Sequence, residues 1–333
     1  MAEFEVQKLT KEQYPQWDEF VRKHPRGSIF LTTEWLSQSE LPLDVYAVYD
    51  KTEQIRGGVA LITIKRYGIS CFNTPPLTAH FMPLIAVSDR KNSASANTEA
   101  YNITDMLLGA IPRMGHTVFY FTPGHHDILP YHKRGYSLNV RCTHEFSGTV
   151  DEFKKNFASR NVTYLNTLLK KVEEKELVVA VGSDVDSVLH LWSQTGKSRQ
   201  FNSQTELCRR MLSANRANES WVSVLITDRS GTPLSGSILI FDNTRAYNVI
   251  NGSVVAGEGY LKNVNMLTMY TAVQFCNERN IVFDFEGSML PGVRDFYRQM
   301  GGTQVPVYSF QKSTSLIYYL LRVFNQYFKF ERI

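Results

Sequence analysis

The residues best suited to chemistry lie in one stretch, FDFEGSMLPGVRDFYRQMGG, residues 283–302. Two carboxylates, Asp284 and Glu286, alternate with Phe283 and Phe285 in the period-two pattern of a strand. That spacing predicts both carboxylates on one face, about 6–7 Å apart. Gly287, Pro291 and Gly292 predict a turn into a short helix. Val293, Phe296 and Met300 fall on one side of that helix, and Gly301-Gly302 stops it. Ser288, Tyr297, Arg294 and Arg298 thereby gather near a helix start, where free N–H groups favour anions. A carboxylate base, a phenol and two guanidiniums suit proton transfer beside an anionic substrate. The alternative is structural: Asp284 and Glu286 pair with Lys or Arg on neighbouring strands.

Other groups point the same way. Lys197 and Arg199 sit in GKSRQFNS, residues 196–203, a polar break between helical stretches. They suit a phosphate or carboxylate, or stand solvated. Tyr247, Asn248 and Asn251 end a strand, where they orient a polar acceptor or satisfy local backbone. VVAGEG, residues 254–259, offers Gly257 and Gly259 ahead of Tyr260, Lys262 and a helix. Backbone N–H groups there suit a pyrophosphate, with an ordinary turn as the competing reading. His125-His126-Asp127 with His132 lacks an E-x-x-H partner, so no metal is expected. No G-x-S-x-G elbow occurs, and GEGYLK lacks the third glycine of a dinucleotide fingerprint.

A chain of 333 residues suits about two domains. Its net charge of +4 fits an anionic small ligand better than a dedicated DNA binder. Cys71, Cys142, Cys208 and Cys276 form no C-x-x-C pair, which predicts a reduced, cytoplasmic protein. MAEFEVQKLT carries no apolar run, so no signal peptide is expected, and no run reaches membrane-spanning length. The aromatic tail, Ile317 to Phe330 with Arg322 and Lys329, is expected to bury against the second half. At most it makes peripheral membrane contact.

The chain also repeats itself. Asp50-Lys51 matches Asp228-Arg229, and Gly58 and Leu61-Ile62 match Gly236 and Leu239-Ile240 at the same spacing. Phe119-Tyr120-Phe121 matches Phe283-Asp284-Phe285. Each half reads as three strands joined by turns, a helix, a strand, a short helix and a glycine. Two copies of one α/β unit imply two domains, 1–145 and 146–333, with a ligand cleft between them.

This organisation resembles the tandem GNAT-type acyltransferases, including the Fem aminoacyltransferases of cell-wall synthesis. ASRNVTYLNTLLKKVEEKELVV, LWSQTGKSRQF, SGSILIF and FDFEGSMLPGVRDFYRQMGG carry the likeness in the second half, and SIFLTTEWL in the first. The resemblance implies an α/β (α+β) fold of two GNAT-like domains, each a mostly antiparallel mixed sheet flanked by helices. It implies direct acyl transfer to an amine of an anionic acceptor, with acyl-CoA such as acetyl-CoA as co-substrate and no permanently bound cofactor. Glu286 is then the first choice for the base and Asp284 the second. Tyr297 protonates the leaving thiolate. Arg160, Lys197 and Arg199, with Arg294 and Arg298 near the helix start, hold the acceptor's charge. Gly257, Gly259, Tyr260 and Lys262 hold the donor. Two departures stand out. Tyr297 replaces the family's usual Lys, which weakens transfer from aminoacyl-tRNA, and Val254 replaces a polar residue of the coenzyme A motif. They leave open an aminoacyl-tRNA ligase of the same fold, or a scaffold that has lost the chemistry.

Overall fold

The computed structural model describes residues 4–88, 92–123, 128–194, 202–215, 220–254, 261, 263–286 and 291–329. It divides into two compact units, Met1–Val140 with Val307–Ile333, and Arg141–Pro306.

The chain opens with β1 (Phe4–Lys8), α1 (Tyr14–Lys23), α2 (Thr33–Ser37), β2 (Leu43–Asp50), β3 (Ile55–Arg66), β4 (Ile69–Phe72) and β5 (Leu84–Ile85). It continues with α3 (Ser93–Ala110), β6 (His116–Tyr120), α4 (Leu129–Lys133) and β7 (Ser137–Phe146). Then come α5 (Val150–Lys155), α6 (Ser159–Glu173), β8 (Leu177–Gly182), α7 (Val185–Gln194) and α8 (Asn202–Ala214). The last elements are β9 (Trp221–Asp228), β10 (Pro233–Phe241), β11 (Arg245–Ser253), α9 (Val264–Glu278), β12 (Val282–Asp284), α10 (Pro291–Gln299), β13 (Thr303–Ser313) and α11 (Leu316–Lys329).

The first unit runs β1-β2-β3-β4 antiparallel, and β6 then joins β4 in parallel. The second runs β8-β9-β10-β11 antiparallel, and β12 joins β11 in parallel. A parallel join needs a long crossover, supplied by α3 in one unit and α9 in the other. Each unit is therefore a mixed, mostly antiparallel sheet with helices.

The repeat extends to single hydrogen bonds. Asp50 Oδ1 accepts from the Thr52 and Gln54 N–H groups at 2.8 and 3.1 Å. Asp228 Oδ1 accepts from the Ser230 and Thr232 N–H groups at 2.8 and 3.0 Å. The left-handed residue of the turn is Glu53 (φ 59°) in one and Gly231 (φ 86°) in the other. Register matches too: Ala47 faces Gly58, and Leu225 faces Gly236.

Two expectations change. The segment from Val307 belongs with the first unit, not the second. Aromatic pairing accounts for this: Phe310 pairs with Phe119 across the sheet and stacks on Tyr131 at 4.5 Å. Residues 93–98 open α3, where the Asn92 side chain caps the Ser95 N–H at 2.8 Å. The strand read through Glu286 ends at Asp284, where the chain turns.

The second unit's core positions the site. Phe283 and Phe285 are fully buried among Phe146, Phe153, Leu165, Leu168 and eight residues of α9. With most of α9 buried, β12 has little freedom to shift.

Candidate active site

The carboxylate stretch is held from three strands. β7 and β11 flank β12, setting Glu145 opposite Asp284 and Arg245 opposite Val282. Alternation then puts Thr143, Glu145, Arg245 and Asp284 on one face. The Thr143 hydroxyl donates to Asp284 Oδ1, and Arg245 Nη1 lies 3.0 Å from Asp284 Oδ2. The same Nη1 donates to Glu145 Oε2. Asp284 is 2% exposed. Burial pushes its carboxyl above the usual range, while Arg245, Thr143 and the Glu286 N–H pull it back.

Glu286 is fixed by its neighbour. Its N–H donates to Asp284 Oδ1 at 2.9 Å, and its backbone is left-handed, at φ 60°. That conformation is costly for a residue with a Cβ. Glu286 is partly buried, with its backbone turned out of the strand. The two carboxylates therefore do not share one strand face: Asp284 faces inward, bound, and Glu286 stands in the turn.

Tyr297 comes from α10. Its ring meets Phe285 at 4.9 Å, between the two carboxylates in sequence. Burial raises its phenol pKa, and the negative Glu286 and Asp284 raise it further. It stays protonated at neutral pH. The helix ends as the glycines require: the Gly302 N–H bonds to the Tyr297 carbonyl at 3.0 Å, and Gly301 is left-handed, at φ 78°. A Cβ at Gly301 would lie 2.5 Å from Asn156 Cβ.

His144, which the sequence reading missed, lies fully buried on the other face of β7. Its ring is 6.0 Å from that of Tyr297. Neither ring nitrogen has a hydrogen-bond partner among the described residues. Burial, then Arg298 and Arg294, lower its pKa, so it is neutral. Thr143, Glu145 and Arg245 were also missed. Arg245 was legible in principle, two residues before Tyr247 on the same strand face.

The remaining candidates scatter. Tyr247 is buried on the face of Arg245. Asn248 lies on the opposite face, bonded to the Ser237 hydroxyl and facing Met269 Sδ at 3.6 Å, so it serves the core. Asn251 donates to Asn265 Oδ1 at 3.0 Å, beside the start of α9. Arg294 and Arg298 flank Asp295 on α10, at 3.4 and 3.8 Å. Arg298 also lines a groove of about 580 Å³ with Asn156, Phe157, Ala158, Asp295 and Gln299. Arg160 Nη2 reaches Gln299 Oε1 at 3.4 Å beside it. No side chain caps the start of α6 there. Gly257, Gly259, Tyr260, Lys262, Lys197, Arg199, Gly287, Ser288 and His125-His126-Asp127 lie outside the described residues.

No protein-family model and no curated protein matches the sequence. Solved structures do. FemX aligns over 95% of this chain and 99% of its own, with a TM-score of 0.64 at 14% identity. A tandem GNAT protein from the clavulanic acid biosynthesis pathway aligns over 93% and 98%, with a TM-score of 0.53 at 8% identity. The chain has the tandem GNAT, Fem-like fold. L-PGS from Bacillus licheniformis shares this fold over 94% and 96%, with a TM-score of 0.55 at 10% identity. At such identities the tandem GNAT likeness speaks for fold, and the site must speak for chemistry.

Proposed function

We propose that the chain is an acyltransferase moving an acyl group from an acyl-CoA-type thioester to an amine of an anionic acceptor, such as a cell-envelope sugar or peptide precursor. The observation that carries this is the likeness to acyltransferase folds over nearly the whole of both chains. Glu286 takes the proton from the attacking amine as the C–N bond forms. Asp284 is a positioning residue: its carboxylate holds the Glu286 N–H and is itself held by Arg245. As the C–S bond breaks, Tyr297 gives its proton to the thiolate. Burial and the nearby carboxylates keep that proton on the phenol at neutral pH, so it is present for the transfer. The acceptor's negative charge suits the groove beside Arg298, Arg160 and the uncapped start of α6. Donor phosphates suit the start of α9, whose first turn carries no acid and whose N-cap Asn263 makes no side-chain cap.

A second reading, transfer from aminoacyl-tRNA, is favoured by the higher TM-score to FemX than to the tandem GNAT protein. Thermal unfolding with acetyl-CoA, long-chain acyl-CoA and free coenzyme A separates the two. A ligand at about 100 times its Kd adds roughly 2.7 kcal/mol to stability. A clear rise with a coenzyme A species supports the acyl-CoA reading. No rise with any of them, together with binding of aminoacyl-tRNA, replaces it with the second.

A further inference from the structure

The C-terminal helix leaves an apolar face in solvent. Of the α11 residues whose side chains are described, Leu316 to Phe324, only Tyr318 is buried. Leu316, Ile317, Tyr319, Leu320 and Phe324 are 70, 65, 52, 55 and 58% exposed. At 100° per residue these five, with Val323, fill one continuous arc opposite Tyr318. Ser315 starts the helix, its hydroxyl accepting from the Tyr318 N–H at 3.2 Å. Tyr318 anchors it, stacked on His116 at 4.6 Å.

The surroundings of this face carry one sign of charge. The β3–β4 turn reaches α11 through Tyr67, whose ring is 6.2 Å from that of Tyr318, and through Arg66, which hydrogen-bonds the Tyr318 hydroxyl. Lys65, Arg66 and Tyr67 are exposed. So is Arg113, beside the Met114 and Gly115 carbonyls that bond Thr314 and Ser315. Arg322 lies on the helix itself. Residues 63–72 and 111–117 contain no Asp or Glu, and none occurs between Asp295 and Glu331.

We propose that this face docks the protein on an anionic lipid surface, with α11 lying in the plane of the interface. Leu316, Ile317, Leu320 and Phe324 enter the boundary between headgroups and acyl chains, Tyr67 and Tyr319 sit at headgroup level, and Lys65, Arg66 and Arg113 meet the phosphates. Charge complementarity selects this occupant: a cationic rim without acids suits anionic lipid, whereas a second copy would set the same cationic rim against itself. The helix lies on the membrane and does not cross it. No described helix is long and apolar enough to span, and the 14 residues of α11 reach only about 21 Å. The inference stands whether or not the acyltransferase reading holds.

The test is sedimentation of the full chain with vesicles of phosphatidylcholine alone or with about one quarter phosphatidylglycerol, at low and high salt. Binding to the anionic vesicles, weakened by salt, is expected. Ile317→Ser with Leu320→Ser should lower partitioning by at least about tenfold, and Lys65→Glu with Arg113→Glu should abolish the preference for phosphatidylglycerol. All four positions are exposed, so unchanged thermal unfolding is expected to verify the fold. Three results overturn the proposal: no binding to either vesicle, equal binding to both, or a dimer in solution that Ile317→Ser with Leu320→Ser dissociates.

Discussion

Arg245 Nη1 lies 3.0 Å from Asp284 Oδ2, a contact between a 15% exposed guanidinium and a 2% exposed carboxylate on adjacent parallel strands. A second carboxylate, Glu145, binds the same nitrogen. Two carboxyl groups thus share one cation, and the inner one also receives the Thr143 hydroxyl and the Glu286 N–H. Removing the cation strands a buried charge. Arg245→Met should cost about 3–5 kcal/mol in urea unfolding. Asp284→Asn should cost less, because Thr143 and Glu286 keep an acceptor. The double variant should be more stable than the sum of the two losses predicts. Strict additivity would mean that the pair is not coupled.

Glu286 differs from Asp284 in its backbone. Asp284 ends the strand, and Glu286 occupies a left-handed turn at φ 60°. Under the proposed mechanism Glu286→Gln should lower kcat by about 10²–10⁴. KM and unfolding should barely move. Unchanged turnover would remove Glu286 from the chemistry. Glu286→Gly, which relieves the backbone at φ 60°, should be at least as stable as the parent yet equally slow.

Tyr297 offers a separable test. Its phenol is held protonated by burial and by two nearby carboxylates. Tyr297→Phe keeps the packing against Phe285 and removes the proton. A slower kcat is expected, with a smaller loss when the leaving thiol is more acidic, since such a thiol needs less help. An equal loss for all thioesters would assign Tyr297 to packing alone.

Much of this arrangement was written in local signals. The Asp50 and Asp228 turns, the Gly58 and Gly236 register and the Gly301-Gly302 stop follow from residue type and spacing, and the structure carries them to individual hydrogen bonds. What the sequence hid was long-range. Arg245 precedes Asp284 by 39 residues and Thr143 precedes it by 141. Only the pairing of β7, β12 and β11 brings them together, and no local pattern encodes that order. The turn at Glu286 escaped for another reason. Period-two alternation continues through Phe285, but the Asp284 side chain captures the Glu286 N–H and bends the chain, ending the strand two residues early. The C-terminal tail went to the wrong half because its partners, Phe119, Tyr131 and His116, lie nearly two hundred residues upstream.

His116 makes the first unit sensitive to acid. Its ring stacks on Tyr318, and Nδ1 lies 2.9 Å from the Ser313 hydroxyl. Burial, then the positive Arg322 and Arg66, lower its pKa from 6.5 to about 4. In the unfolded chain the imidazole regains the ordinary value. Between these two values the unfolded state binds more protons than the folded one, so stability rises with pH across the window. The contribution is present above pH 6.5 and is lost as pH falls toward about 4. Its size is of order 1–3 kcal/mol. Other carboxylates titrate near the lower end, so the comparison must be with a variant. His116→Gln keeps a polar group toward Ser313 and removes the titration. Urea unfolding of both proteins at steps across that window should show wild type losing stability faster on acidification. Parallel curves would place the neutral imidazole elsewhere than under Tyr318.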